Sequence, residues 1–171
     1  MFDGINLQSS FYSLIIFLSI SFLYINLFFV NMMIIVLIFF SYLNFINKSF
    51  LGDSGTLLLS FIISYIFIKS YNQDLIKYAD QIVLFMIIPG LDLMRLFILR
   101  IFNKKSPLSA DRKHLHHILI EKYSLTKTLA IIIILILMPL ILSFFHIGFL
   151  TIITVIIIAY SIIVIKSYFK D

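Results

Sequence analysis

Six apolar runs alternate with polar breaks along the chain. The first, residues 9–30, is uncharged and long enough to cross the roughly 30 Å hydrocarbon core of a bilayer. Asn26 and Asn31 bracket a short turn, and residues 32–46 form a second, shorter span with Tyr42 and Asn44 near its interfacial end. The next polar break is Lys48 to Gly55, after which Thr56 to Ile68 continues a third span and Lys69 to Gln81 a polar loop. A fourth span begins at about Ile82 and contains Pro89-Gly90, a pair expected to kink or stop the helix, with Asp92 and Arg95 at its end. After the basic stretch Arg100 to Lys127 come two more spans, roughly Leu129–Phe145 and Phe149–Ile165, joined tightly at His146-Ile147-Gly148. Pro139 is tolerable inside a membrane helix, where neighbouring groups satisfy the freed carbonyl. The pattern predicts an all-α, polytopic integral membrane protein with about six transmembrane helices, residues 1–171 forming a single membrane domain without a fixed-period repeat.

Composition agrees with that reading. Of 171 residues, 62% are hydrophobic and only 12% charged, with a mean hydropathy of +1.13. A soluble domain of this size could not hide so much apolar surface. The runs are too many and too dispersed for one to be a cleaved signal peptide. There is no cysteine, which excludes a disulfide framework, a thiol nucleophile and Cys-ligated metal. The net charge of +5 could point to nucleic acid. The positive residues cluster in loops beside apolar spans, however, so membrane lipid, orientation and phosphorylated substrates explain them better, with no nucleic-acid partner. With six spans, eleven of the thirteen basic residues fall on the side of residue 1, leaving Lys69 and Lys77 opposite. That asymmetry makes the first side cytoplasmic. The polar segments at 3–8, 48–55 and 92–117, the last within a cytoplasmic basic loop spanning 92–127, then share one face, where a charge-bearing site is expected.

The most chemically dense stretch is Ser106 to Leu119, with Asp111, Arg112 and Lys113 followed by His114, His116 and His117. Pro107 biases Ser106 away from the α region, and Ser109 can cap a helix carrying Asp111 in its first turn. With Ala110 onward helical, His114 and His117 share a face and His116 points elsewhere. Free backbone N–H groups, a positive dipole end and the cations Arg112 and Lys113 suit a phosphate or diphosphate. Zinc is a weaker alternative on ligand spacing, and a solvated juxtamembrane loop that sets orientation is the bland one. Earlier in the chain, Leu51 to Thr56 opens a helix with two glycines flanking Asp53, a hard oxygen ligand of the kind Mg²⁺ prefers. Asp53 and Ser54 could equally cap that helix, and an Asp can do both. Asp92 and Arg95, three apart, read as a local ion pair, and His146 as an interfacial residue without a role.

Four segments together resemble the polyprenyl-phosphate N-acetylhexosamine-1-phosphate transferases. Phe2-Asp3-Gly4-Ile5-Asn6 is similar to the family's Asp-Gly-(Ile/Leu)-Asp/Asn loop, and Phe50 to Gly55 to its Gly-Asp-x-Gly motif. Pro89-Gly90-Leu91-Asp92 with Arg95 and Arg100 is similar to its Pro-x-x-Asp-x-x-Arg segment. The run from Ser106 to His117 is similar to its specific Asp-Arg-x-His-(Ile/Leu)-His-His signature. The likeness covers about residues 2–119 and resembles the C-terminal half of such an enzyme.

That resemblance implies a bacterial inner-membrane enzyme with its active site facing the cytoplasm. It would transfer a sugar 1-phosphate from a UDP-N-acetylhexosamine to polyprenyl phosphate and release UMP, in cell-wall or lipopolysaccharide synthesis. It implies Asp53 as ligand of Mg²⁺ (or Mn²⁺) and Asp3 with Asp53 as catalytic carboxylates. Arg112, His114, His116, His117 and Asn6 would bind substrate. Phosphoryl transfer between charged partners needs positioning and charge neutralisation above all.

The chain departs from the family in having no Asp-Asp pair, in Asn6 replacing a frequent acid, and in having six spans where ten or eleven are expected. These departures lead us to expect an N-terminally truncated or split gene product that works with a missing N-terminal half or as a homo-oligomer. The rival readings are a catalytically inactive fragment or partner subunit, and a small transporter using the His cluster. The latter would need ionisable residues well inside the spans.

Overall fold

The computed structural model describes residues 7–23, 28–106 and 113–168. All regular structure among them is helical: α1 Gln8–Leu23, α2 Phe28–Phe45, α3 Gly52–Asn72, α4 Ala79–Phe102, α5 Leu115–Lys122, α6 Leu125–Phe144 and α7 Phe149–Tyr168. Five of these, α2, α3, α4, α6 and α7, are long and apolar enough to cross a membrane. Bulky side chains such as Phe22, Phe61 and Leu150 stand outward on the spans and on α1, as lipid-facing groups do and as a water-soluble surface would not tolerate in such number. The architecture is that of an all-α, multi-pass membrane protein.

The chain forms two compact units, Phe2–Ile82 and Val83–Asp171. In the first, α1 packs on α2 and α3. The predicted span 9–30 is divided differently from the expectation. Helix α1, with 16 residues, is about 24 Å long and falls short of a bilayer core, while α2 begins at Phe28. Asn31 is inside α2 and not at a turn, because the Ser21 hydroxyl donates to its side-chain oxygen at 2.9 Å and absorbs its polarity. Helix α1 is the buried element of this unit, contributing Ile16, Phe17 and Ile20 to the core. At the other end of α2, Asn44 is buried. Its Oδ1 accepts the Leu7 amide at 2.6 Å and its Nδ2 donates to the Ser49 carbonyl at 2.7 Å. One side chain thus ties the entry to α1 to the loop after α2. Helix α3 runs through the expected polar loop as far as Asn72.

In the second unit, α4 is continuous through Pro89-Gly90, so of the expected kink or stop the stop is not taken. A stop there would strand backbone N–H and C=O groups in lipid with no water to bond them, so the helix continues. Asp92 and Arg95 therefore lie within α4 and not at its end. Of the basic stretch 92–127, residues 92–102 are the last turns of α4, α5 is a short helix of its own, and Leu125 already opens α6. Helices α6 and α7 pack together and both receive α5. The predicted connection at His146–Gly148 is present, with His146 at φ 56, and Pro139 sits inside an unbroken α6.

Candidate functional site

The polar centre of the second unit is Asp92, fully buried although it lies midway along an apolar helix. Its Oδ1 accepts from Arg95 Nη2 at 2.7 Å, from the Tyr160 hydroxyl at 2.8 Å and from the Leu115 amide at 3.1 Å. Its Oδ2 lies 2.9 Å from His114 Nδ1 and 3.3 Å from the same Leu115 amide. Arg95 extends the network, donating from Nε to Tyr160 at 2.9 Å, from Nη1 to Tyr168 at 3.2 Å and from Nη2 to the Lys113 carbonyl at 2.6 Å. One carboxylate and one guanidinium therefore pin α4, α7 and the start of α5 together. A buried charge persists in such surroundings only when paired and hydrogen-bonded, and Asp92 is both.

This geometry corrects the expected helix start. Lys113 and His114 are not helical, and α5 begins at Leu115 with His114 as its extended N-cap (φ −61, ψ 152), which makes no side-chain capping bond of its own. Asp92 supplies the missing acceptor from another helix, so a carboxylate of the chain itself occupies the anion-favouring position at the Leu115 amide. The orientation of the histidines is corrected too. Because His114 is extended, its ring stacks on that of His116, centroids 5.8 Å apart and planes 4° from parallel. His116 in turn lies 4.2 Å from the His117 ring. The three rings form one group, with His116 in the middle.

His116 is 1% exposed, and neither ring nitrogen has a hydrogen-bond partner. Burial first, and then the neighbouring rings of His117 and His114, push its pKa down to about 3. At neutral pH the imidazole is uncharged and offers one donor and one acceptor, not the positive charge expected of a diphosphate ligand. Such an orphaned pair of buried polar atoms calls for an explanation in a folded protein, and a bound ligand is one.

In the first unit, Asp53 is exposed in the opening turn of α3. The capping role considered for it and Ser54 is not taken: the N-cap position belongs to Leu51, one residue before the helix, and no side chain caps α3. The flanking glycines have distinct reasons. Gly52 has φ +63, a conformation side chains disfavour, and a Cβ at Gly55 would meet Leu51 at 2.8 Å. Among the described residues, Asp53 accepts a hydrogen bond only at its backbone carbonyl, from the Thr56 hydroxyl, and no group of three or more His, Asp or Glu could hold a metal. Mg²⁺ takes one or two carboxylates and completes its shell with substrate phosphates, so a lone exposed carboxylate neither requires nor excludes that ion. Asp3, Asn6, Arg112 and the proposed cap Ser109 lie outside the described residues. Reasoning from sequence missed Asp92 as the organiser. Its only signal was the Pro-x-x-Asp-x-x-Arg spacing, and Tyr160, 68 residues away, gave none.

Over 86 residues, half of its length, the chain is 37% identical to the undecaprenyl-phosphate alpha-N-acetylglucosaminyl 1-phosphate transferase of Thermotoga maritima. The match spans 28% of that relative. No family model matches the sequence, and no solved structure matches it.

Proposed function

We propose that this chain takes part in transferring an N-acetylhexosamine 1-phosphate from a UDP-sugar to a polyprenyl phosphate, with release of UMP, at the cytoplasmic face of a bacterial inner membrane. The observation that carries the reading is the likeness to the Thermotoga transferase. The clustered histidines beside a buried carboxylate and guanidinium support it.

In this reading His114 and His117, with Arg112, meet the diphosphate of the nucleotide. The neutral His116 bonds an uncharged part of the same ligand, for which one donor and one acceptor are the fitting complement. Asp53 would hold Mg²⁺, which when bound neutralises phosphate charge. Asp92 and Arg95 touch no substrate; they fix where the histidines stand. The attacking lipid phosphate forms a bond to the sugar-linked phosphorus as the bond to UMP breaks, so that charge is redistributed and no covalent protein intermediate is needed. Asp3 would serve with Asp53 as a catalytic carboxylate, and Asn6 would bind substrate. The 171 residues contain no Asp-Asp pair, so in this reading a further carboxylate is supplied from outside them.

The test is UMP release from UDP-N-acetylglucosamine with undecaprenyl phosphate and Mg²⁺ in detergent. It uses the 171-residue chain alone and co-expressed with a polypeptide bearing the family's paired-aspartate loop. We expect turnover from the co-expressed preparation and little from the chain alone. No UMP from either would overturn the reading in favour of an inactive membrane subunit.

A further inference from the structure

The Asp92–His114 contact decides more than stability. Every group that Oδ1 of Asp92 meets is a donor: a guanidinium, a phenol hydroxyl and a backbone amide. Surrounded in this way, the carboxylate is ionised and can only accept. The atom facing its Oδ2 at 2.9 Å is His114 Nδ1, so that nitrogen carries the proton. The opposite ring atom, Nε2, is then the accepting one in the neutral ring. It becomes a donor only after taking up a second proton, whose charge the carboxylate behind the ring would balance. A neutral imidazole in water prefers the other form, with Nε2 protonated, so this state is imposed by the fold. The support is rigid as well: the Leu115 amide, next in the chain to His114, is bonded to the same carboxylate, and the ring is stacked on His116.

We propose that Asp92 is a positioning residue for His114, holding its imidazole with Nδ1 protonated so that Nε2 is left for a phosphate-bearing ligand. The ligand's identity rests on the function proposed above; the imposed tautomer does not. Toward the fully ionised diphosphate of a UDP-sugar Nε2 serves only as a donor, after taking up a second proton; a phosphate monoester such as UMP can itself give that proton and accept the hydrogen bond back. Tyr160 and Arg95 act one layer further out, holding Asp92 itself. This separates two roles within the histidine group: His114 is oriented by a carboxylate, whereas His116 has no such partner.

The sequence contains four histidines, which makes the tautomer directly measurable. The experiment is long-range ¹H–¹⁵N correlation NMR on the full chain in nanodiscs, labelled at histidine nitrogens, with His114 assigned through His114→Gln and exposed His146 as reference. We expect His114 in the Nδ1–H form in the wild type, and a change toward Nε2–H in Asp92→Asn. Tyr160→Phe, which keeps the carboxylate against the ring, should leave His114 as Nδ1–H. Nε2–H in the wild type would overturn the proposal whether or not Asp92→Asn folds, and so would a tautomer unmoved by Asp92→Asn. Titration with UMP and Mg²⁺ then separates the two layers of the argument. A shift of the His114 Nε2 resonance supports both. In nanodiscs that also hold the polypeptide bearing the paired-aspartate loop, the expected tautomer with no response to UMP or UDP-N-acetylglucosamine removes the phosphate ligand together with the transferase reading, and leaves the orienting role of Asp92 standing.

Discussion

Replacing Asp92 with alanine should destabilise the protein far more than any other single polar substitution in the second unit. The change removes the acceptor of Arg95, Tyr160, His114 and the Leu115 amide at once. Breaking a buried ion pair by deleting one partner costs about 3–5 kcal/mol, because the other charge is left without compensation. Here the Arg95 side chain keeps 13% exposure and His114 keeps 21%, so both recover some solvation and the lower end, about 3 kcal/mol, is the expectation. A neutral hydrogen bond between membrane helices is worth only about 0.6 kcal/mol on average, with a maximum near 1.7. Tyr160→Phe removes two bonds to charged groups, the one donated to Asp92 and the one accepted from Arg95 Nε, and should cost roughly 1–2 kcal/mol, still below the loss at Asp92. The ratio of the two losses is what the network predicts, and it is robust to the choice of detergent. Both can be read from reversible unfolding in mixed micelles of increasing denaturing-detergent fraction, with a double-mutant cycle between Asp92→Ala and Arg95→Met to isolate the pair. If Asp92→Ala lies within about 1 kcal/mol of wild type, below the 3 expected for a broken buried pair, the carboxylate is not the organiser described above.

Asn44→Leu should cost about 1–3 kcal/mol in the same assay, since it leaves the buried Leu7 amide without its acceptor. His116 has a folded pKa of about 3 against an ordinary value of 6.5, so the native state binds fewer protons than the unfolded chain between those values. Stability should accordingly be unaffected by this group above about pH 6.5 and fall as the pH drops toward 3, by on the order of a few kcal/mol. His116→Phe should flatten the pH–stability curve in that window; a wild-type curve already flat there would contradict the burial argument. For orientation, single cysteines at Ser106 and His146, both exposed, should label from opposite sides of the membrane, Ser106 from the cytoplasm. Labelling of Ser106 from outside would reverse the assigned topology.

How much of this was legible in the sequence depends on the range of the interactions involved. The hydropathy pattern located the membrane helices, because burying a backbone in lipid needs length and apolarity, both local properties. It misplaced the first boundary because Asn31 reads as a turn residue, whereas Ser21, ten positions away, satisfies it inside α2. Pro89-Gly90 misled only in offering a stop: the rule that proline ends a helix is calibrated on helices surrounded by water. The histidine run was visible as candidate chemistry, but its geometry was not. Whether His114 is helical depends on Asp92 capping Leu115 from another helix, a contact 23 residues away in sequence. Asp92 and Arg95 did read as an ion pair. That the pair also carries α7 through Tyr160 is a tertiary fact with no local signature.

The transferase reading is tested most directly by following label from UDP-[¹⁴C]N-acetylglucosamine into solvent-extractable lipid. Liposomes would contain undecaprenyl phosphate and the chain purified with the polypeptide supplying the paired-aspartate loop. The account predicts Mg²⁺-dependent incorporation, abolished by chelation and reduced at least a hundredfold by Asp53→Asn, the order expected when a charge aimed at the transition state is removed. Absence of lipid-borne label, or label that persists undiminished in Asp53→Asn, would contradict it.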